Sequence, residues 1–211
     1  MKFQAIIFDL DGVIVSTDHY HYLAWKKLAD ELQIPFDEKD NERLRGVSRM
    51  ESLDIILEKS EKQYSKEEKE AFADKKNKLY QEYLQQMTKR DLSNQVYNTL
   101  VQLKEKGIKL AIGSSSKNTM LILKQIGLDE FFDEIADGTM LAYSKPHPQV
   151  FMLASEKLKL EYKQCLVVED AVAGCIAAKS ASMKVAAISS AYGNPVADYH
   201  LNSFENLLQI V

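Results

Sequence analysis

The sequence predicts an α/β protein: a doubly wound, Rossmann-like parallel sheet with an inserted all-helical cap domain. Three observations predict it. Residues 4–8 form a short, apolar, β-branched stretch that stops abruptly at Asp9-Leu10-Asp11-Gly12. From residue 93 onward, short apolar runs alternate with helix-length segments, as in strands laid parallel beneath crossover helices. Between the two, from residue 18 to residue 87, nothing reads as a strand. The core is therefore assigned to residues 1–14 and 93–211, and the cap to residues 15–92.

The elements follow in order. Residues 18–32 read as a helix, with Tyr22, Ala24, Trp25, Leu28 and Leu32 mostly at helical spacing. Ser48-Arg49-Met50-Glu51 is a capping box: a serine hydroxyl reaches the amide three residues on, and the glutamate reaches back. Ser65-Lys66-Glu67-Glu68 is a second one, opening a charged helix that runs to Met87. In the core, residues 96–106 form a helix closed by Gly107, and 108–112 a strand leading into Gly113-Ser114-Ser115-Ser116. Residues 118–126 form a helix stopped by Gly127, and 134–136 a short strand. Residues 149–158 are a helix, and 165–168 a strand ending at Glu169-Asp170. A helix (171–181), a strand (184–188) and a final helix (204–210) complete the chain.

Composition narrows the function classes. With 211 residues, 45% apolar and 27% charged, the chain can bury a proper core and is not a disordered segment. A net charge of −4 with dispersed basic residues gives no reason to expect nucleic acid or an anionic membrane as partner. No apolar run approaches the roughly 20 residues of a membrane span, and no secretory signal precedes the first strand. A cytoplasmic protein, and a monomer, is the expectation. Cys165 and Cys175 have neither metal-site nor redox spacing and are expected to be small buried residues without a disulfide.

The chemistry gathers at the strand ends. Asp9 and Asp11, two residues apart in extended chain, point to one side. They lie at the carboxyl end of a strand, where open α/β sheets bind ligands. Two close carboxylates repel each other and suit a hard cation such as Mg²⁺. Later strands end at Ser114–Ser116 and at Glu169-Asp170, and Ser144-Lys145-Pro146 offers one cation. Carboxylates for Mg²⁺, with hydroxyls, amides and a lysine for an anion, fit phosphate chemistry. Each part also has a plain structural alternative: the serines as a turn and helix cap, Lys145 as a solvated loop residue, the acids as a helix start.

The set Asp9-Leu10-Asp11-Gly12-Val13-Ile14, Ser114, Lys145-Pro146 and Glu169-Asp170 resembles the haloacid dehalogenase-like phosphotransferases across the whole chain. The resemblance implies that Asp9 is the nucleophile and forms an aspartyl-phosphate. Asp11 would be the general acid/base, and Ser114 and Lys145 would bind the transferring phosphoryl group. Mg²⁺ would be held by Asp9, Glu169, Asp170 and the backbone carbonyl of Asp11. Arg49, in the first turn of a helix, could grip a second phosphate or equally reach out to solvent or Glu51. The segments Tyr20-His21, Ala24-Trp25-Lys26, Gly46-Val47-Ser48-Arg49, Ser52-Leu53 and Lys76-Asn77 are similar to the capped sugar-phosphate mutases of that family. This implies Arg49 on the distal phosphate, with Ser116, Lys117 and Asn118 on that phosphate or the sugar. Trp25, Gly46, Val47, Ser52 and Lys76 would shape the sugar pocket, and Ser48 and Ser115 are counted with the substrate-binding residues. Thr17, His21 and Arg45 would couple the cap to the state of Asp11. The implied reaction interconverts β-D-glucose 1-phosphate and glucose 6-phosphate, with glucose 1,6-bisphosphate as intermediate and activator, behind a cap that closes against water. A Mg²⁺-dependent phosphatase of small phosphorylated sugars would use the same core residues.

The sequence departs from the family's pattern in places. Arg45 stands where lysine is common, which keeps charge but not geometry. The return to the core, Leu92-Ser93-Asn94-Gln95-Val96, lacks the usual Pro-Gly. The segment Ser189-Ser190-Ala191-Tyr192-Gly193 lacks the usual glycine-rich pattern and is expected to be an edge of the core, remote from the chemistry.

Overall fold

A computed structural model describes residues 3–44 and 48–211 of the chain. Its first strand, β1 (Ala5–Phe8), is buried along its whole length. An all-apolar run of four residues is what a strand covered on both faces requires. Among the described residues the sheet has six strands in the order β3-β2-β1-β4-β5-β6, and every pairing is parallel. The others are β2 (Lys109–Gly113), β3 (Glu134–Ala136), β4 (Cys165–Glu169), β5 (Lys184–Ile188) and β6 (Tyr199–Leu201). β1 pairs with β2 on one side, Phe8 opposite Ile112, and with β4 on the other, Phe8 opposite Val168. The strand order reverses at β1, so the carboxyl ends of β1, β2 and β4 share one rim at the switch point of the fold.

By backbone contacts the chain divides into two compact units, Met1–Ser16 with Met87–Val211 and Thr17–Gln86. The first holds the sheet with α5 (Asn94–Glu105), α6 (Thr119–Ile126), α7 (Gln149–Leu158) and α8 (Val172–Ser180). One of its apolar clusters joins Ala5, Ile7 and Val167 of the sheet to Phe151 of α7 and Ala177 of α8. α6 stops at Gly127, which takes the left-handed conformation that ends helices. Cys165 and Cys175 are buried and free.

The second unit is helical: α1 (Asp18–Glu31), α2 (Glu38–Glu42), α3 (Arg49–Leu57) and α4 (Lys66–Leu84). Both predicted capping boxes form, at Ser48 and at Ser65. The apolar faces of α1 and α3 close over Trp25, Leu28, Leu53 and Ile56. No helix among the described residues is long and apolar enough to cross a membrane.

Besides three short 3₁₀ turns (Lys89–Asp91, Tyr162–Gln164 and Ser189–Ala191), three elements among the described residues differ from the sequence reading. β6 was not anticipated; it has three residues, with His200 exposed between partners, and gains strand form only by pairing with β5 at the sheet edge. α2 was also missed; it is a single turn and a half started by an Asp37 capping box, with no apolar periodicity to mark it. The final helix is of the tighter 3₁₀ kind, Phe204–Gln209, anchored by Phe204 stacking on Phe8 with ring centroids 5.6 Å apart.

Candidate active site

Asp9 follows β1 directly, and its amide continues the ladder by donating to the Val168 carbonyl at 3.0 Å. The chain then turns, the Gly12 amide donating to Val15 at 2.8 Å. Gly12 has φ +86°, and a Cβ there would lie 2.1 Å from Asp170 Oδ2, so only glycine lets the turn pass this close to the carboxylate. Asp9 is buried and Asp11 half-buried.

Lys145 stands on the loop between β3 and α7, where the Lys145–Pro146 peptide is cis. Its ammonium lies 2.5 Å from Asp9 Oδ1 and 2.5 Å from Glu169 Oε1, and 4.7 Å from the centre of the Phe151 ring. Its side chain is only 9% exposed, which excludes the solvated-loop alternative. Burial alone would push the ammonium's pKa down; the charges of Asp9 and Glu169 outweigh it and hold the pKa above the ordinary lysine value.

Glu169 ends β4 and is 1% exposed. Its carboxylate fits because α8 carries Gly174 beside it: a Cβ there would lie 1.8 Å from Glu169 Oε1. Glu169 also accepts the Ala171 amide at 2.9 Å. Burial raises the Glu169 pKa, with Lys145 opposing and Asp9 adding to the rise. Asp170 is pushed up to about 8, first by burial and then by the like charges of Asp9, Glu169 and Asp11.

Asp9, Glu169 and Asp170 each offer a carboxylate oxygen, all within 4.8 Å of one another. This all-oxygen set suits Mg²⁺, and the repulsion acting on Asp170 is what a divalent cation would relieve. Asp11 acts on Asp170 electrostatically, but its carboxylate is not part of this cluster.

In the loop after β2 the serines serve the turn into α6. The Ser114 hydroxyl accepts the Ser116 amide at 3.2 Å, and the Ser116 hydroxyl accepts the Asn118 amide at 3.1 Å, so both support the turn into α6. Ser114 and Asn118 are buried, and Lys117 is exposed. The Ser115 hydroxyl is buried and makes no hydrogen bond, the kind of orphaned group a ligand oxygen would satisfy.

In the helical unit a second constellation forms. Lys76 is buried, donates to His21 Nδ1 at 2.8 Å, and lies 4.6 Å from the ring centres of both Trp25 and Tyr80. Tyr80 donates to the Thr17 hydroxyl at 2.8 Å. Burial, then the charges of Lys76 and Arg49, hold the His21 pKa well below its ordinary value, so the ring is neutral and accepts from Lys76. Arg49 donates to Asn77 at 2.9 Å. Ser48 caps α3 and Ser52 is buried in it. Arg45, Gly46 and Val47 lie outside the described residues.

Sequence reasoning thus drew attention to residues the structure gathers into two sets: Asp9, Lys145, Glu169 and Asp170, and Thr17, His21, Trp25 and Lys76. It missed Tyr80, whose signal was its position four residues after Lys76 on one helix face. It missed Gly174, an isolated glycine inside a helical run, and Phe151 under the ammonium. It also treated residues 189–193 as remote from the chemistry. That is corrected: the Ser190 hydroxyl donates to the Asp170 backbone carbonyl at 2.7 Å, because β5 ends beside β4 on the same rim.

Over residues 6–188 the chain matches the model of a family described as haloacid dehalogenase-like hydrolase. It is 43% identical over 182 residues to the β-phosphoglucomutase of Bacillus subtilis, covering 85% of this chain and 80% of that protein. The crystal structure of a β-phosphoglucomutase from Clostridium difficile matches with a TM-score of 0.88 at 39% identity, covering 97% of this chain and 93% of that one. A phosphorylated carbohydrates phosphatase of Thermotoga maritima is 30% identical, covering 86% of this chain and 82% of its own length. The family matched is the one its strand-end motifs resemble.

Proposed function

Because the chain belongs to the haloacid dehalogenase-like hydrolase family, we propose that it is a phosphomutase interconverting β-D-glucose 1-phosphate and glucose 6-phosphate through an aspartyl-phosphate and β-glucose 1,6-bisphosphate. The observation that carries the phosphoryl-transfer part is the buried Asp9 carboxylate, held by Lys145 at the switch point of the sheet. The mutase part is supported by the likeness to two β-phosphoglucomutases and by two cations of the helical unit, half-buried Arg49 and buried Lys76.

Each residue has a role in this reading. An Asp9 carboxylate oxygen attacks phosphorus; that bond forms as the bond from phosphorus to the donor oxygen breaks. Asp11 gives a proton to the leaving oxygen in one half-reaction and takes one from the attacking sugar hydroxyl in the other. Lys145, with the hydroxyls of Ser114 and Ser115, meets the charge on the transferring group. Mg²⁺, held by Asp9, Glu169, Asp170 and the Asp11 carbonyl, supplies further charge neutralisation when bound. Arg49 takes the phosphate that does not react; Ser116, Lys117 and Asn118 contact phosphate or sugar; Trp25, Ser48, Ser52, Lys76 and residues 46–47 select the sugar. The substrates are small sugar phosphates, and the protein works as a cytoplasmic monomer.

A coupled assay with Mg²⁺, β-glucose 1-phosphate and a trace of the 1,6-bisphosphate tests it. The expected product is glucose 6-phosphate with little free phosphate. Free phosphate as the main product would instead establish the phosphatase, the reading the Thermotoga relative favours.

A further inference from the structure

We propose that Gln149 is a positioning residue for Lys145: its side-chain oxygen clamps the loop that carries the ammonium. The inference rests on the phosphoryl-transfer reading above, in which Lys145 neutralises the group in transit.

The loop of residues 142–149 is largely exposed, yet its Lys145 side chain dips into the site and is nearly buried. A long lysine side chain is flexible, so its head is placed only as well as its backbone is held. Two successive amides, those of Ala142 and Tyr143, donate to the one Gln149 oxygen at 3.0 and 2.9 Å. A carboxamide oxygen has two lone pairs and can serve both. The far side of the loop is tied to the same residue, since the Gln149 amide donates to His147 Nδ1 at 3.3 Å. The His147 ring lies against Tyr143, with centroids 4.7 Å apart, and the His147 amide donates to the Ser144 carbonyl at 3.0 Å. Gln149 is the first residue of α7, and Phe151 of the same turn lies under the Lys145 ammonium. One helix start therefore fixes both the loop and the face on which the ammonium rests. A misplacement of about 1 Å in a catalytic group can lower rate on the order of 100-fold, so the clamp has leverage on catalysis.

The test uses the full chain with Gln149→Leu, which keeps bulk and removes the acceptor, and Gln149→Glu, which restores it; Gln149→Ala replaces the leucine variant should that one fail to fold. Turnover is read twice, as glucose 6-phosphate from β-glucose 1-phosphate and as phosphate release from acetyl phosphate, a donor with no sugar. Expected are a kcat at least tenfold lower in Gln149→Leu with KM little changed, and recovery in Gln149→Glu. Hydrogen exchange at the Ala142 and Tyr143 amides should accelerate at least tenfold in the leucine variant. On a Lys145→Met background the Gln149→Leu change should add nothing further, because a positioning residue acts through the group it positions. Full additivity on that background, an unchanged kcat, or amides that exchange freely in the wild-type protein would each overturn the proposal. A wild-type protein that turns over acetyl phosphate but not the sugar phosphate would sink the mutase reading alone, leaving the clamp to stand or fall on the acetyl phosphate rates.

Discussion

At the scale of single residues, the site depends on atoms that are missing as much as on those present. Gly174 has no side chain, and the space is taken by Glu169, whose oxygen would lie 1.8 Å from a Cβ at that position. A methyl group cannot be absorbed there by a surface rotation, because Glu169 is 1% exposed and bonded to both Lys145 and the Ala171 amide. Gly174→Ala is expected to push the carboxylate off its place while α8 itself tolerates alanine well. Residues that orient metal ligands typically cost about 10- to 100-fold in metal affinity when changed. A Mg²⁺ titration of turnover should show a shift of that size, with a thermal midpoint close to wild type. An unshifted titration would mean that Glu169 is not a metal ligand.

At the scale of elements, α1 and α4 are joined by a polar contact beside an apolar one, in which Ala73 of α4 packs with Trp25, Leu28 and Ala29 of α1. His21 of α1 accepts from Lys76 of α4, between the rings of Trp25 and Tyr80. This contact needs a neutral imidazole, and burial with the charges of Lys76 and Arg49 lowers the His21 pKa in the folded state. The unfolded chain then binds the extra proton below its ordinary value of 6.5, so folding stability must fall as pH falls through that region. The slope is bounded by about 1.4 kcal/mol per pH unit for one proton. Denaturant unfolding between pH 7.5 and 5.5 should show that dependence in the wild-type protein and a flatter one in His21→Gln, whose amide oxygen can still accept from Lys76. Parallel curves would show that His21 keeps its proton affinity in the fold. Elements of this kind also mark where the sequence was legible. β1, β4 and β5 could be read because a strand buried on both faces must be an unbroken apolar run, and α3 and α4 because their capping boxes are local. β6 and α2 could not be read: one exists only by pairing with β5, the other rests on five polar residues and a single Asp37 cap. Phe151, Gly174 and Ser190 were illegible for a related reason, since their importance lies in what a distant part of the chain brings beside them.

At the scale of the whole molecule, the proposed function divides the chemistry between two separately packed units. The sheet unit holds Asp9, Lys145, Glu169 and Asp170, whose proposed work is to handle a phosphoryl group without reference to what carries it. The helical unit holds Arg49 and Lys76, cations with no role in bond-making, whose proposed work is to recognise a sugar phosphate by its second end. A mutase needs that recognition, because its bisphosphate must be accepted with either phosphate at Asp9; a simple acyl phosphate does not. Arg49→Ala should therefore separate the two functions. Losing a hydrogen bond to a charged group costs about 1.5–3 kcal/mol, so kcat/KM for β-glucose 1-phosphate should fall at least tenfold. Phosphate release from acetyl phosphate, which engages the sheet unit alone, should stay within about twofold of wild type, the spread expected when two sites share no partners. Should both rates fall together, Arg49 would be needed for the chemistry itself or for the fold, and the division of labour between the units would be wrong.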